Sequence, residues 1–145
     1  MDPVYTTYEM DGWRLPFPQD WKFSLDKEQR PPQVIFDIEN AATLYISTWN
    51  WSKPETGEIA PVETVESFFL QAFEQQGIER RADFAAYYPE GFIVCEGKSI
   101  TGDGYRMISF AVCADGCAIS LYFVFEPEAE IVDCLQYIKG IERER

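Results

Sequence analysis

The sequence predicts an α+β fold in which a central antiparallel β-sheet carries an α-helix on each face. Residues 1–145 would form this α/β/α sandwich as a single domain. Two observations lead to this class. One long hairpin is apolar on both of its faces, whereas an antiparallel sheet with one wet face shows apolar-in, polar-out alternation. The chain also contains two amphipathic helical segments, which would cover the two faces.

The hairpin consists of two β-rich runs, 105–113 and 117–125, on either side of a short loop that ends at Gly116. A three-residue loop needs one residue with positive φ, which Gly116 supplies. In this register Cys113 and Cys117 face each other, and the odd-numbered side chains of both strands share one face. Both faces are mostly apolar, so the hairpin is predicted to lie in the middle of the sheet.

Four short strands are predicted before the first helix, at residues 13–16, 21–25, 33–38 and 43–49. A turn at Asp11-Gly12 precedes them. Pro16 and Pro18 fix φ and remove hydrogen-bond donors, so they predict a turn after the first of these strands. Residues 1–8 have no clear pattern and are expected to fray or to add an edge segment.

The first helix is predicted to begin at Pro61, a residue favoured at the first helical position. Its inward face has i, i+3, i+4, i+7 spacing and comprises Val62, Val65, Phe69, Ala72, Phe73 and Gln76, with Phe68 on the flank. Gly77 ends the helix as a C-cap.

A second hairpin, 83–88 with 92–99, is expected around Pro89-Glu90-Gly91, before the central hairpin. The last helix is predicted to start at Pro127. Its apolar stripe consists of Ile131, Cys134, Leu135, Ile138 and Ile141.

The chain is strongly acidic, with 25 acidic and 12 basic residues and a net charge of −13. Such a surface repels nucleic-acid phosphates and anionic headgroups, so no nucleic-acid partner is expected. The charge serves solubility or steers a basic partner protein. No apolar run is long enough to span a bilayer, and the N-terminal residues lack the features of a signal peptide, so a cytoplasmic location is expected.

The chain contains no histidine. This excludes Ser-His-Asp and Cys-His nucleophile activation and nearly all catalytic zinc sites. We find no catalytic, cofactor-binding or metal-binding motif, and we therefore predict that the protein is not an enzyme and has no cofactor.

Four cysteines, Cys95, Cys113, Cys117 and Cys134, lack the close pairs of a zinc site. They are predicted to be reduced thiols that act as small core residues. A labile disulfide between Cys113 and Cys117 is the alternative.

The segment Trp13-Arg14-Leu15-Pro16-Phe17-Pro18-Gln19-Asp20-Trp21 resembles the hairpin that begins many domains of the PsbP-like (Mog/PsbP-like) superfamily. The predicted order of strands, helix, meander and C-terminal helix is similar as well. The superfamily includes the photosystem subunit P, a nuclear-transport factor that binds the GTPase Ran, and bacterial secretion chaperones. The resemblance implies binding rather than catalysis, and no functional residue is carried over from it.

Two aromatic pairs are candidate partner-binding residues. Trp49 and Trp51 lie where a strand leaves the sheet, and strand alternation would place both on one face. Tyr87 and Tyr88 precede Pro89. Tryptophan is enriched at binding hot spots, but packing beneath a loop or against a helix is the commoner role of such pairs.

The leading functional hypothesis is a cytosolic protein-binding module, such as an adaptor, chaperone or immunity-type protein. Its partner would be a protein that is basic or presents a hydrophobic segment. The alternative is a small-ligand protein, or an enzyme that uses carboxylate or tyrosine chemistry in a pocket between sheet and helix.

Overall fold

The computed structural model describes residues 4–28, 32–38, 41–53 and 55–144. The strands in these ranges are β1 (Tyr5–Met10), β2 (Trp13–Pro18), β3 (Lys22–Asp26), β4 (Gln33–Ile38), β5 (Ala42–Asn50), β6 (Ser52–Lys53), β7 (Glu58–Ile59), β8 (Glu79–Arg81), β9 (Ile93–Ile100), β10 (Arg106–Ala114), β11 (Cys117–Phe125) and β12 (Glu142–Arg143). The helices are α1 (Val62–Gln75) and α2 (Val132–Leu135), and short 3-10 turns cover Ala85–Tyr87 and Ile138–Gly140.

Seven strands form the main antiparallel sheet, in the order β3-β4-β5-β11-β10-β9-β8. Strands β10 and β11 lie in its interior, which confirms the predicted central place of this hairpin. A smaller sheet has the order β1-β2-β12, and β6 pairs with β7. Asp11 and Gly12 both have positive φ, 49° and 87°, as the tight turn between β1 and β2 requires.

The main sheet separates two hydrophobic cores. Helix α1 covers one face, where Val65, Phe69 and Phe73 pack on small residues of β10 and β11. The small sheet covers the other face with Trp13, Leu15 and Phe17, and the C-terminal segment completes this larger core. Both faces of the β10–β11 hairpin are therefore buried, in agreement with its apolar composition.

The first helix forms where it is predicted, but Gln76, predicted on its inward face, is exposed and occupies the C-cap position. Pro61 occupies the N-cap position, Val65, Phe69 and Phe73 are buried, and Gly77 follows the helix with a φ of 72°. The spacing of the apolar residues is sufficient to define this helix, because its contact face repeats every three to four residues.

The predicted α+β class, with an α-helix on each face of the sheet, is wrong. The fold is mainly β, and α1 is the one long helix in the described residues. The C-terminal stripe is indeed buried at Cys134, Leu135, Ile138 and Ile141. Its backbone, however, forms only the four residues of α2 and a 3-10 turn, because the small sheet already occupies most of that face.

The predicted register of the central hairpin is wrong by one residue. Ala114 pairs with Cys117, so the loop consists of Asp115 and Gly116 alone, and Cys113 lies opposite Ala118. A shift of one residue moves every side chain of one strand to the other face. Cys113 therefore packs under α1, whereas Cys117 joins the core beneath the small sheet.

All four cysteines are buried and none forms a disulfide, as predicted. The alternative of a Cys113–Cys117 disulfide is contradicted by the position of these residues on opposite faces of the sheet.

The expected 83–88 strand is also absent: residues 85–87 form a 3-10 turn, and β9 pairs with β8 instead.

We predict that Gly97→Ala destabilises the junction of α1 and β9. A methyl group at Gly97 would lie 2.3 Å from Cγ2 of Ile78 and 3.2 Å from Cδ2 of Phe73. Both neighbours are buried, so the free energy of unfolding should fall by about 1–3 kcal/mol.

Urea denaturation checks this prediction, with Gly102→Ala as the control. A methyl group at Gly102 would meet no described atom within 4 Å, so its effect should stay within about 0.5 kcal/mol. Equal stability of the two variants would contradict the proposed steric clash.

Candidate functional site

Three aromatic side chains form a partly exposed surface beside the N-terminal half of α1. Trp49 at the end of β5 and Trp51 just after it are stacked, with ring centroids 6.2 Å apart and planes 19° apart. Phe68 on α1 lies against both indoles, at 5.7 and 5.2 Å. Its side chain is 40% exposed. We refer to Trp49, Trp51 and Phe68 as the aromatic patch.

Buried side chains hold the aromatic patch in place from the protein interior. Phe69 is 1% exposed and packs edge-on against both indoles, at 5.7 and 5.8 Å. The indole N–H of Trp49 donates a 2.9 Å hydrogen bond to Oγ of Ser120. Both tryptophans thus also anchor α1 to the sheet, which is the packing role that the sequence left open.

Backbone hydrogen bonds join the surrounding segments to the central hairpin. The Trp51 N–H donates to the carbonyl of Gly116 at 2.7 Å, and the Gly116 N–H donates to the carbonyl of Ala60 at 2.7 Å. The Asp115 carboxylate accepts a 2.9 Å hydrogen bond from the N–H of Val62, at the start of α1. Hydrogen bonds therefore connect Trp51 and the start of α1 to the β10–β11 loop.

The segments that adjoin the patch along the chain, or that bond to it through the backbone, carry an exposed apolar side chain and several acidic ones. Ile59 of β7 is 59% exposed and lies on Gly116. The acidic residues Glu55, Glu58, Glu63 and Asp115 are exposed on the elements that surround the patch.

Tyr87 and Tyr88 lie away from this surface, because they pack on the opposite side of the main sheet. Tyr88 belongs to the core beneath the small sheet, with its ring 6.3 Å from that of Phe110. Tyr87 is half-buried, 6.4 Å from Phe84. The structure therefore brings together the tryptophan pair and Phe68, but it does not bring the tyrosine pair to them.

The Tyr88 hydroxyl donates a 2.6 Å hydrogen bond to the carboxylate of Glu96, which is 3% exposed. The same carboxylate accepts hydrogen bonds from the backbone N–H groups of Asp83 and Phe84, at 3.1 and 3.0 Å. Burial and the bond to Glu96 raise the pKa of Tyr88 above its usual value. Glu96 thus attaches the 83–88 segment to β9 through hydrogen bonds, a role that the sequence did not predict.

Lys98 also contacts the 83–88 segment, through partly exposed side chains. It forms an ion pair with Asp83 and lies 5.2 Å from the ring centre of Phe84. The hydrogen bond from Lys98 lowers the pKa of Asp83, although burial opposes it. Both partners are partly exposed, so the pair contributes little to stability.

Three surface clefts bear on the alternative of a small-ligand site. The largest, about 370 Å³, lies between α1 and β8 and includes Glu74 and Arg80. A second, about 280 Å³, contains Arg143, whose guanidinium lies 5.1 Å from the ring centre of Trp13 and donates to the carbonyl of Asp11 at 3.0 Å. The third, about 240 Å³, includes Tyr5 and Tyr137. Only the first reaches the lower end of the usual range for ligand pockets.

Among the described residues, no group of three or more Cys, Asp or Glu side chains is placed to hold a metal ion. Neither α1 nor α2 combines the length and apolar character that crossing a bilayer requires, within the described ranges.

Two comparisons of the sequence with known proteins assign it to no family. A scan against models of protein families finds no match to the chain, and a search of curated proteins finds no significant relative. The resemblance of residues 13–21 to PsbP-like domains therefore stays a prediction.

Two features of the site had weak signals in the sequence. Phe68 falls on the flank of the helical stripe, so periodicity alone does not distinguish a half-exposed ring from a core residue. Glu96 directly follows the apolar residues 93–95 of β9, and a carboxylate that is buried with such a strand requires hydrogen-bond donors. The 83–88 segment supplies those donors.

Proposed function

We propose that this protein is a binding module that captures a basic segment of another protein, with apolar side chains of that segment resting on the aromatic patch. The observation that carries the proposal is the 40% exposure of Phe68, which the stacked indoles of Trp49 and Trp51 hold in place. A ring held in this way contributes contact area at low cost in conformational entropy.

The charge of the surrounding surface supports a basic partner. Glu55 and Glu58 lie between Trp51 and α1, Glu63 lies in the first turn of α1, and Asp115 bonds to the start of α1; all four are exposed. The whole chain has a net charge of −13. Acidic groups at the rim of an interface accelerate encounter with a cationic partner, whereas the desolvated centre supplies most of the binding energy.

None of the four cysteines takes part in a disulfide, which suits a reducing compartment, so the cytosol is the location that we propose. An adaptor, a chaperone and an immunity-type protein each act by binding another protein. Our proposal therefore specifies the chemistry of the bound segment rather than its cellular role.

Selection from a random peptide library displayed on phage tests this proposal, with the intact chain as the target. Enriched peptides should combine Lys or Arg with at least one large apolar residue. Binding of a synthetic peptide, followed by tryptophan fluorescence, should weaken at least tenfold in Phe68→Ala, which corresponds to about 1.4 kcal/mol. It should also weaken with added salt, because the attraction of the acidic rim is screened.

The matched control is Tyr105→Ala. Tyr105 is 38% exposed, close to the 40% of Phe68, but it precedes β10 next to the turn after β9. Affinity should remain unchanged in this control. Enriched peptides without basic residues, or equal losses in both variants, would refute the proposal.

A further inference from the structure

Strand β3 is an edge of the main sheet in the described residues, and its side chains are unusually exposed for a strand. Phe23 is 62% exposed and Leu25 is 49% exposed. The ring of Phe23 rests on Tyr8 and Phe36, both at 5.9 Å, and therefore has a defined position. An edge strand with apolar side chains is a template for pairing with another chain.

The sequence of β3 is complementary to itself when it is read in the opposite direction. It runs Lys22-Phe23-Ser24-Leu25-Asp26. In an antiparallel pair centred on Ser24, Lys22 would face Asp26 of the second copy, and Phe23 would face Leu25. Each of these contacts occurs twice, because a two-fold axis relates the copies.

Neighbouring charges favour the same arrangement. Lys22 lies opposite Asp37 in the sheet, so its ammonium group would have one carboxylate on each side after pairing. Asp26 already accepts a 3.1 Å hydrogen bond from the N–H of Glu28. Side chains alternate along a strand, so the charged pairs and the apolar pairs would lie on opposite faces of the joined sheets.

We propose that two copies of this chain associate through β3, which joins their main sheets into one continuous antiparallel sheet. The occupant of this edge is a second copy because one five-residue strand supplies both members of every charged and apolar pair. The net charge of −13 on each copy opposes association, but physiological salt screens charges more than about 8 Å apart. Short-range pairs across the interface are screened much less.

A charge-swap experiment at physiological salt tests this interface. Analytical ultracentrifugation should show the wild-type protein at twice the monomer mass of 16.8 kDa. Lys22→Glu alone, or Asp26→Lys alone, places like charges opposite each other at both ends, so dimer affinity should fall at least tenfold. The double variant Lys22→Glu/Asp26→Lys restores both pairs and should restore the dimer.

Glu79→Lys, an exposed change on β8 at the other edge of the sheet, is the control and should leave the dimer intact. Circular dichroism of each variant verifies that the fold persists. The inference is overturned if the wild type stays monomeric up to millimolar concentration, or if the single variants dimerise normally. Failure of the double variant to recover, or dissociation of the control, would equally overturn it. None of these results depends on binding at the aromatic patch.

Discussion

Phe69→Ala should lower the free energy of unfolding by about 3–5 kcal/mol, because it removes a buried ring and leaves a cavity. Phe69 is 1% exposed, and its ring contacts those of Trp49, Trp51 and Phe68 at 5.1–5.8 Å. Chemical denaturation measures the loss. The tryptophan near-UV circular dichroism should also change, because both indoles lose a packing partner.

Phe68→Ala is the control for this prediction, since it removes the same side chain one residue earlier. Its ring is 40% exposed, so the expected loss is about 1–2 kcal/mol. If the two variants were equally stable, Phe69 would not be the residue that anchors α1 beneath the aromatic patch.

Glu96→Ala should lower the free energy of unfolding by about 3 kcal/mol, because it leaves three partly buried hydrogen bonds without their acceptor. The donors are the N–H groups of Asp83 and Phe84 and the hydroxyl of Tyr88. Hydrogen exchange should become faster at the two backbone amides, since the 83–88 segment loses its attachment to β9.

Glu79→Ala, a change of the same kind on the neighbouring strand β8, is the control. Glu79 forms a 2.9 Å ion pair with Arg81, and both side chains are largely exposed, at 66% and 47%. Its loss should cost less than about 0.5 kcal/mol. In a Glu96→Ala/Tyr88→Phe double variant the losses should not add, because the two side chains share one hydrogen bond. Strict additivity would contradict the proposed network.

The binding proposal and the dimer proposal concern separate surfaces. The aromatic patch lies at α1 and the ends of β5 and β6, whereas β3 is the edge strand two positions beyond β5 in the sheet. A copy paired at β3 would thus extend the sheet away from α1, which packs on β9, β10 and β11. Each proposal can therefore fail without the other.

The candidate site was predictable in part. Strand alternation places Trp49 and Trp51 on one face if the strand continues; β5 ends at Asn50, and the two indoles nevertheless stack. The contact of Phe68 with both indoles requires α1 to cross the sheet at that point, and local sequence does not specify this crossing. Likewise, the backbone donors of Glu96 come from the 83–88 segment, which these same hydrogen bonds attach to β9.

The sequence by itself determined the features that depend on neighbouring residues. Helix α1, the turn at Asp11-Gly12 and the double burial of the β10–β11 hairpin all follow from spacing, from φ preferences and from apolar content. The C-terminal stripe was also identified correctly as buried. The long helix predicted for it was wrong, since α2 has only four residues.

Only the tertiary structure decided the register of the β10–β11 hairpin and which element packs on the second face of the main sheet. Gly116 forms its backbone hydrogen bonds with Trp51 and Ala60, which lie more than fifty residues away, and the loop at this point contains only two residues. The small sheet similarly combines β1 and β2 from the start of the chain with β12 from its end, as in the hydrogen bond from the N–H of Glu144 to the carbonyl of Gly12. The physical reason is that such pairings depend on which distant strands meet, whereas propensity and periodicity act over only a few residues.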